Sequence, residues 1–185
     1  MKYKNLIFLI ALFLIPSAKS AETIFLYQAT LNRTIKIEEL YKFKETKIPS
    51  TKLKNILKIT NQKEKDLLDI LSYEIEVPLK STSKLMNSKI GEVFLRKLSK
   101  IIHPHKILDK NISAKAIRSG IVLSAYNNNQ KINLLDFFKA YPNKNIAINL
   151  NALRKTLKKA ESLKELIDFY SNSPFKKLKD GRSNT

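Results

Sequence analysis

The sequence predicts a mainly α fold: a compact multi-helix array with a small two- or three-stranded β element, formed by an N-terminal hairpin and a strand near 146–150. Three observations predict it. From Glu38 onward, apolar residues recur at three- and four-residue spacing, the period of helices with one buried face. Period-two alternation is confined to ETIFLYQATLNRTIKI (22–37) and IAINL (146–150). Prolines 49, 78 and 142 and the polar NNNQ run (127–130) punctuate the chain at helix-length intervals.

The chain opens MKYKNLIFLIALFLIPSAKSAE, with Lys2 and Lys4 before an apolar run from Leu6 to Ile15, then Pro16 and small residues. This pattern predicts a secretory signal peptide over 1–20, because the run is roughly half of the ~20 apolar residues that a spanning helix needs. Ala18 and Ser20 stand three and one positions before Ala21, which places the expected cleavage there. The expectation is an exported protein of the periplasm or thylakoid lumen. Residues 21–170 then form one helical domain, and 171–185, without periodicity, a disordered tail.

Within 22–37, Ile24, Leu26, Ile35 and Ile37 alternate with less apolar neighbours across a polar ATLNR turn, giving a hairpin. EELYKFKETK follows as a helix with Leu40 and Phe43 inward, closed by Pro49. Ser50 or Thr51 caps the next helix, whose face is Leu53, Ile56, Leu57 and Ile59. Asn61 is expected to start another, with Leu67, Leu68, Ile70 and Leu71. A short helical turn at 81–86 precedes a stripe of Ile90, Phe94, Leu98 and Ile101, reinforced by Val93 and Ile102. Ser113 is expected to cap a helix bearing Ala114, Ile117, Ile121, Val122 and Ala125. Asn133 caps LLDFFKAY, stopped by Pro142. After the IAINL strand, Leu150, Leu153, Leu157, Ala160, Leu163, Ile167 and Tyr170 mark one side of a long helix.

Chemistry is constrained by what the chain lacks. No cysteine occurs, so the fold has no disulfide, and thiol catalysis and thiolate metal sites are excluded. Phosphate loops and the G-x-S-x-G nucleophile elbow need clustered glycines, whereas glycine stands only at 91, 120 and 181. Gly91 and Gly120 are expected to allow close helix approach, and Ser119 is a helix-packing residue beside Gly120. His103 and His105 flank Pro104 after the 90–101 stripe, where they read as a helix stop at its carbonyl-rich end. They lack the third ligand of a metal site. The acids are scattered among lysines on solvated helix faces. Catalytic residues, metals and cofactors are therefore expected to be none.

Thirty-five basic and 16 acidic residues give a formal charge of +19; the first 20 residues hold three lysines and no acid, so the expected mature chain carries +16. Such a charge attracts polyanions. Export argues against nucleic acid, leaving anionic lipid or cell-wall polymer as the partner, or else lysine- and asparagine-rich codon usage with no partner at all. One candidate patch is Arg154, Lys155, Lys158 and Lys159, opposite the apolar side of the long helix.

Several stretches carry a resemblance. AETIFLY followed by RTIKIEELYKFKETKIP, then NSKIGEVFLRKLSKII, then AIRSGIVLSAYNNNQKINLLDFFKAYPNKNIAINL resemble, in order, the cyanobacterial domain of unknown function number 1400. That domain is the small helical region following the signal peptide of exported proteins named α/β-hydrolases. The resemblance covers about 21–153 and is most specific in the I-G-E-x-F-L-x-x-L run from Ile90 and in LLDFFKAYP from Leu134. The chain departs from it at Ala29 and Thr30, where the family has Gly-Pro, at Gly120, where it has Ala, and in its many lysines. The resemblance implies the helical region without the hydrolase body, so it carries over no catalytic residue. The expected function is a non-catalytic binding or interaction module for a protein partner. The alternatives are a lid-like accessory to a separate α/β-hydrolase and a peripheral protein on anionic lipid or polymer.

Overall fold

The computed structural model describes residues 20–29 and 31–159, with side chains followed to Thr156. The signal-peptide reading, apart from Ser20, the helix continuation to Tyr170 and the 171–185 tail lie outside the described residues. Two strands open the fold, β1 (Thr23–Gln28) and β2 (Leu31–Lys36), followed by α1 (Ile37–Thr46), α2 (Thr51–Thr60) and α3 (Glu64–Ser72). Next come β3 (Ile75–Glu76), α4 (Leu79–Met86), α5 (Lys89–Leu98), β4 (Ile102–Pro104) and α6 (Lys110–Asn127). The chain continues through β5 (Lys131–Ile132), α7 (Leu134–Ala140), β6 (Asn145–Asn149) and α8 (Leu150–Lys159). No helix among these residues is long and apolar enough to cross a membrane.

The β element is larger than the sequence suggested. Four strands form one mixed sheet in the order β2-β1-β6-β4, with β1 and β6 parallel and the two outer pairs antiparallel. A second, two-stranded sheet pairs β3 with β5. The hairpin is tighter than ATLNR: Gln28 already pairs with Leu31, and Ala29 takes φ 49°. Two-residue loops with positive φ match the twist of antiparallel strands, which favours this tight connection. Ile24, Ile35 and Ile146, each no more than 3 % exposed, share one sheet face and join Ile37, Leu40, Phe43, Ile117, Leu135 and Phe138 in the core.

Local chemistry sets several helix ends differently from expectation. Ser50 and Asn133 cap α2 and α7 as expected, accepting from the Leu53 and Asp136 amides. Asn61, expected to open a helix, instead closes α2 at φ 54°, a conformation asparagine tolerates well. Asp109, not Ser113, caps α6: its carboxylate accepts from the Asn111 and Ile112 amides, while the buried Ser113 hydroxyl donates back to the Asp109 carbonyl. The stripe on α5 holds at Phe94, Leu98, Ile101 and Ile102, which are buried or packed against the core, but is shifted at its start, with Ile90 67 % and Val93 55 % exposed and Leu95 fully buried. Gly91 is the reason. A Cβ there would overlap the Leu85 carbonyl oxygen at the end of α4, so the glycine face turns inward and its neighbours turn out. Gly120 likewise lets α6 approach α7, where a Cβ would lie 2.9 Å from the Phe137 ring.

Candidate functional site

Alternation in β1 sends Ile24 and Leu26 to the core and Phe25 and Tyr27 to the opposite face. In-register pairing extends that opposite face across the sheet. Phe25 stands beside Thr34 on β2 and Ala147 on β6, and Ala147 stands beside His103 on β4. The amide of His105 donates to the Asn145 carbonyl, continuing the ladder one step past β4. Both histidines, two residues apart on an extended chain, thus project on the same side as Phe25 and Tyr27.

The helix-stop reading of these histidines is overturned. The α5 helix ends at Leu98, held by the Ser99 amide donating to the Leu95 carbonyl, and the chain has already become a strand when it reaches His103. Pro104 fits because β4 lies at the sheet edge, where one missing donor is tolerated.

His103 is buried and engaged at both ring nitrogens: Nδ1 lies 2.9 Å from the Pro104 carbonyl and Nε2 lies 2.8 Å from the Tyr27 hydroxyl. A carbonyl can only accept, so Nδ1 carries the proton; in the neutral ring, Nε2 then accepts from the Tyr27 O–H. The His105 ring stacks on Phe25 at a centroid separation of 3.8 Å. Loss of hydration lowers its pKa below the ordinary 6.5, with smaller contributions from the nearby Lys106 ammonium and from His103.

Together these residues line an open cleft of about 550 Å³ whose floor is Phe25, Tyr27, His103, His105 and Ala147. Its rim holds Asn32, Arg33 and Thr34 from β2, Lys52 from α2, and Lys106. Lys52 reaches the Thr34 hydroxyl oxygen at 3.3 Å. Lys106 sits at φ 67° in a turn closed by the Ile107 amide donating to the Pro104 carbonyl. A lysine in that left-handed position costs about 1 kcal/mol relative to glycine. The ion pairs Arg96–Glu92 and Lys144–Glu22 take no cation of the cleft. The rim is therefore positive and the floor aromatic.

The sequence-predicted patch on α8 is described in part. Arg154 is half-buried, with its guanidinium 3.5 Å from the Ile59 carbonyl, while Lys155 is exposed. The side chains of Lys158 and Lys159 lie outside the described residues. Ser119 lies within α6. The described turns that run straight from strand into helix carry Lys36, Asn133 and Asn149. No group of three or more metal-ligating side chains occurs among the described residues.

Sequence reasoning missed the cleft, although two signals pointed to it. The F-x-Y alternation in β1 leaves two aromatics facing away from the core, and H-P-H places two imidazoles on one face of any extended segment.

Over residues 20–149 the chain matches the family described as alpha/beta hydrolase of unknown function (DUF1400), and it belongs to that family. No curated protein and no solved structure matches it.

Proposed function

We propose that this member of the DUF1400 family is an exported, non-catalytic binding module whose ligand site is the cleft on the outer sheet face. The Tyr27–His103–Pro104 hydrogen-bond chain carries the reading. Both ring nitrogens of His103 are committed to fixed partners, which suits a rigid recognition surface better than a proton-shuttling base. Open space of this size over aromatic side chains, rimmed by a few polar groups, is the usual form of a small-ligand site. Export rests on the N-terminal sequence pattern, with Lys2 and Lys4 ahead of the Leu6–Ile15 run.

The family description favours a second reading, in which the module acts beside an α/β-hydrolase catalytic chain as an accessory or lid. Both readings keep the chemistry off this chain. The test is a panel of short- and long-chain esters assayed for turnover, run alongside a ligand screen detected by the His103 and His105 ring resonances. Compounds that move those resonances without being hydrolysed support the binding module. Ester turnover abolished by His103→Ala or Ser119→Ala overturns it.

A further inference from the structure

We propose that the cleft takes a small amphipathic anion, a carboxylate or phosphate group carried on an apolar body, and that binding draws a proton onto His105, whose ring stacks on Phe25 in the cleft floor. This rests on the binding-module reading above and names the ligand class for the same site. The titratable and charged side chains nearest the histidines in the cleft are the Tyr27 phenol from β1, Lys52 from α2 and Lys106 from their own turn, while Arg33 lines the edge on β2, in register with inner-face Leu26. No carboxylate lines the cleft among the described residues, and Glu22, just before β1, is already paired with Lys144 at 3.0 Å. An anionic head at the rim would supply the missing countercharge, and an apolar body would cover the stacked Phe25 and His105 rings.

The same geometry couples binding to protonation. Loss of hydration, with smaller contributions from the Lys106 ammonium and from His103, disfavours charge on His105, and an anion at the rim would oppose that bias. The proton comes from solvent: an O–H bond of hydronium breaks as the N–H bond of the His105 imidazolium forms. By linkage, affinity should rise as pH falls through the His105 titration, and bound anion should raise the His105 midpoint by the same factor.

The test is ¹⁵N-detected imidazole NMR of the full chain, titrated with sodium octanoate, neutral octanamide or inorganic phosphate between about pH 8 and about pH 5.5. Octanoate is expected to shift both rings and raise the His105 midpoint. It should bind on the order of tenfold more weakly to the Lys52→Gln/Lys106→Gly variant, with a smaller loss for octanamide. Octanamide moving the rings as strongly as octanoate overturns the anion while leaving a binding cleft in place. Phosphate matching octanoate overturns the apolar body. Silence from all three probes overturns both the ligand class and the binding module.

Discussion

The two faces of the four-stranded sheet are built from alternate residues of the same strands, yet they solve different physical problems. Ile24, Ile35 and Ile146 on the inner face are almost wholly removed from water and held by apolar packing alone. Phe25 and Tyr27, their direct neighbours, remain half-buried, and their positions are set by a ring stack and a hydrogen bond to the two histidines. The inner face gains stability from the volume it fills. The outer face keeps polar groups and cations beside open space that no carboxylate lines among the described residues, an arrangement that adds little to stability and leaves groups available for recognition.

That contrast sets the sizes of the expected mutational effects. Ile146→Ala should be the most damaging, lowering unfolding free energy by about 3 kcal/mol in chemical denaturation, because it empties a fully buried site. Tyr27→Phe on the outer face should cost only about 1 kcal/mol, the worth of one hydrogen bond, and should change the His103 Nε2 resonance without moving inner-face signals. An equal cost for both substitutions would erase the distinction between the faces. Lys106→Gly should leave stability within about 0.5 kcal/mol of the parent, since relief of left-handed strain offsets the greater freedom of glycine in the unfolded chain. Lys106→Val would separate the two effects, because a β-branched residue fits that turn worse than lysine.

The smallest effect is on pH dependence. His105 has its folded-state pKa below the ordinary 6.5, so the unfolded chain takes up the proton first as pH falls. Its contribution to stability is complete above about pH 6.5 and is lost as pH falls from there through the lowered folded value. His105→Gln should flatten that part of a stability-against-pH curve measured by thermal unfolding. An unchanged slope would mean that the ring is as hydrated in the fold as in the unfolded chain.

The helices were legible because their signals are short-range. Ser50 and Asn133 cap helices three residues ahead of the amides they accept from, and Leu53, Ile56 and Leu57 declare a face within a single turn. The departures arose where distant residues decide. Gly91 shifts the start of the α5 stripe because of the Leu85 carbonyl, a contact no periodicity in α5 announces. The three-residue β4 is too short to show alternation, contains a proline, and becomes a strand only by pairing with Ile146, Ala147 and Ile148. The β3–β5 pair, two residues on each side, has the same limitation. The cleft depended on the β1–β6 parallel register, which joins the start of the fold to a strand near its end. The parts visible in sequence were residue types two apart; what the fold added was their shared face.

The separation of the two faces is tested most directly by measuring octanoate affinity and unfolding free energy on the same two variants. Ile146→Val should lose about 1 kcal/mol of stability and hold its octanoate affinity within about twofold. The Lys52→Gln/Lys106→Gly variant should do the reverse, losing affinity on the order of tenfold with stability unchanged to within about 0.5 kcal/mol. If both variants change stability and affinity together, or if the lysine variant changes neither, the outer face is not a binding surface distinct from the core.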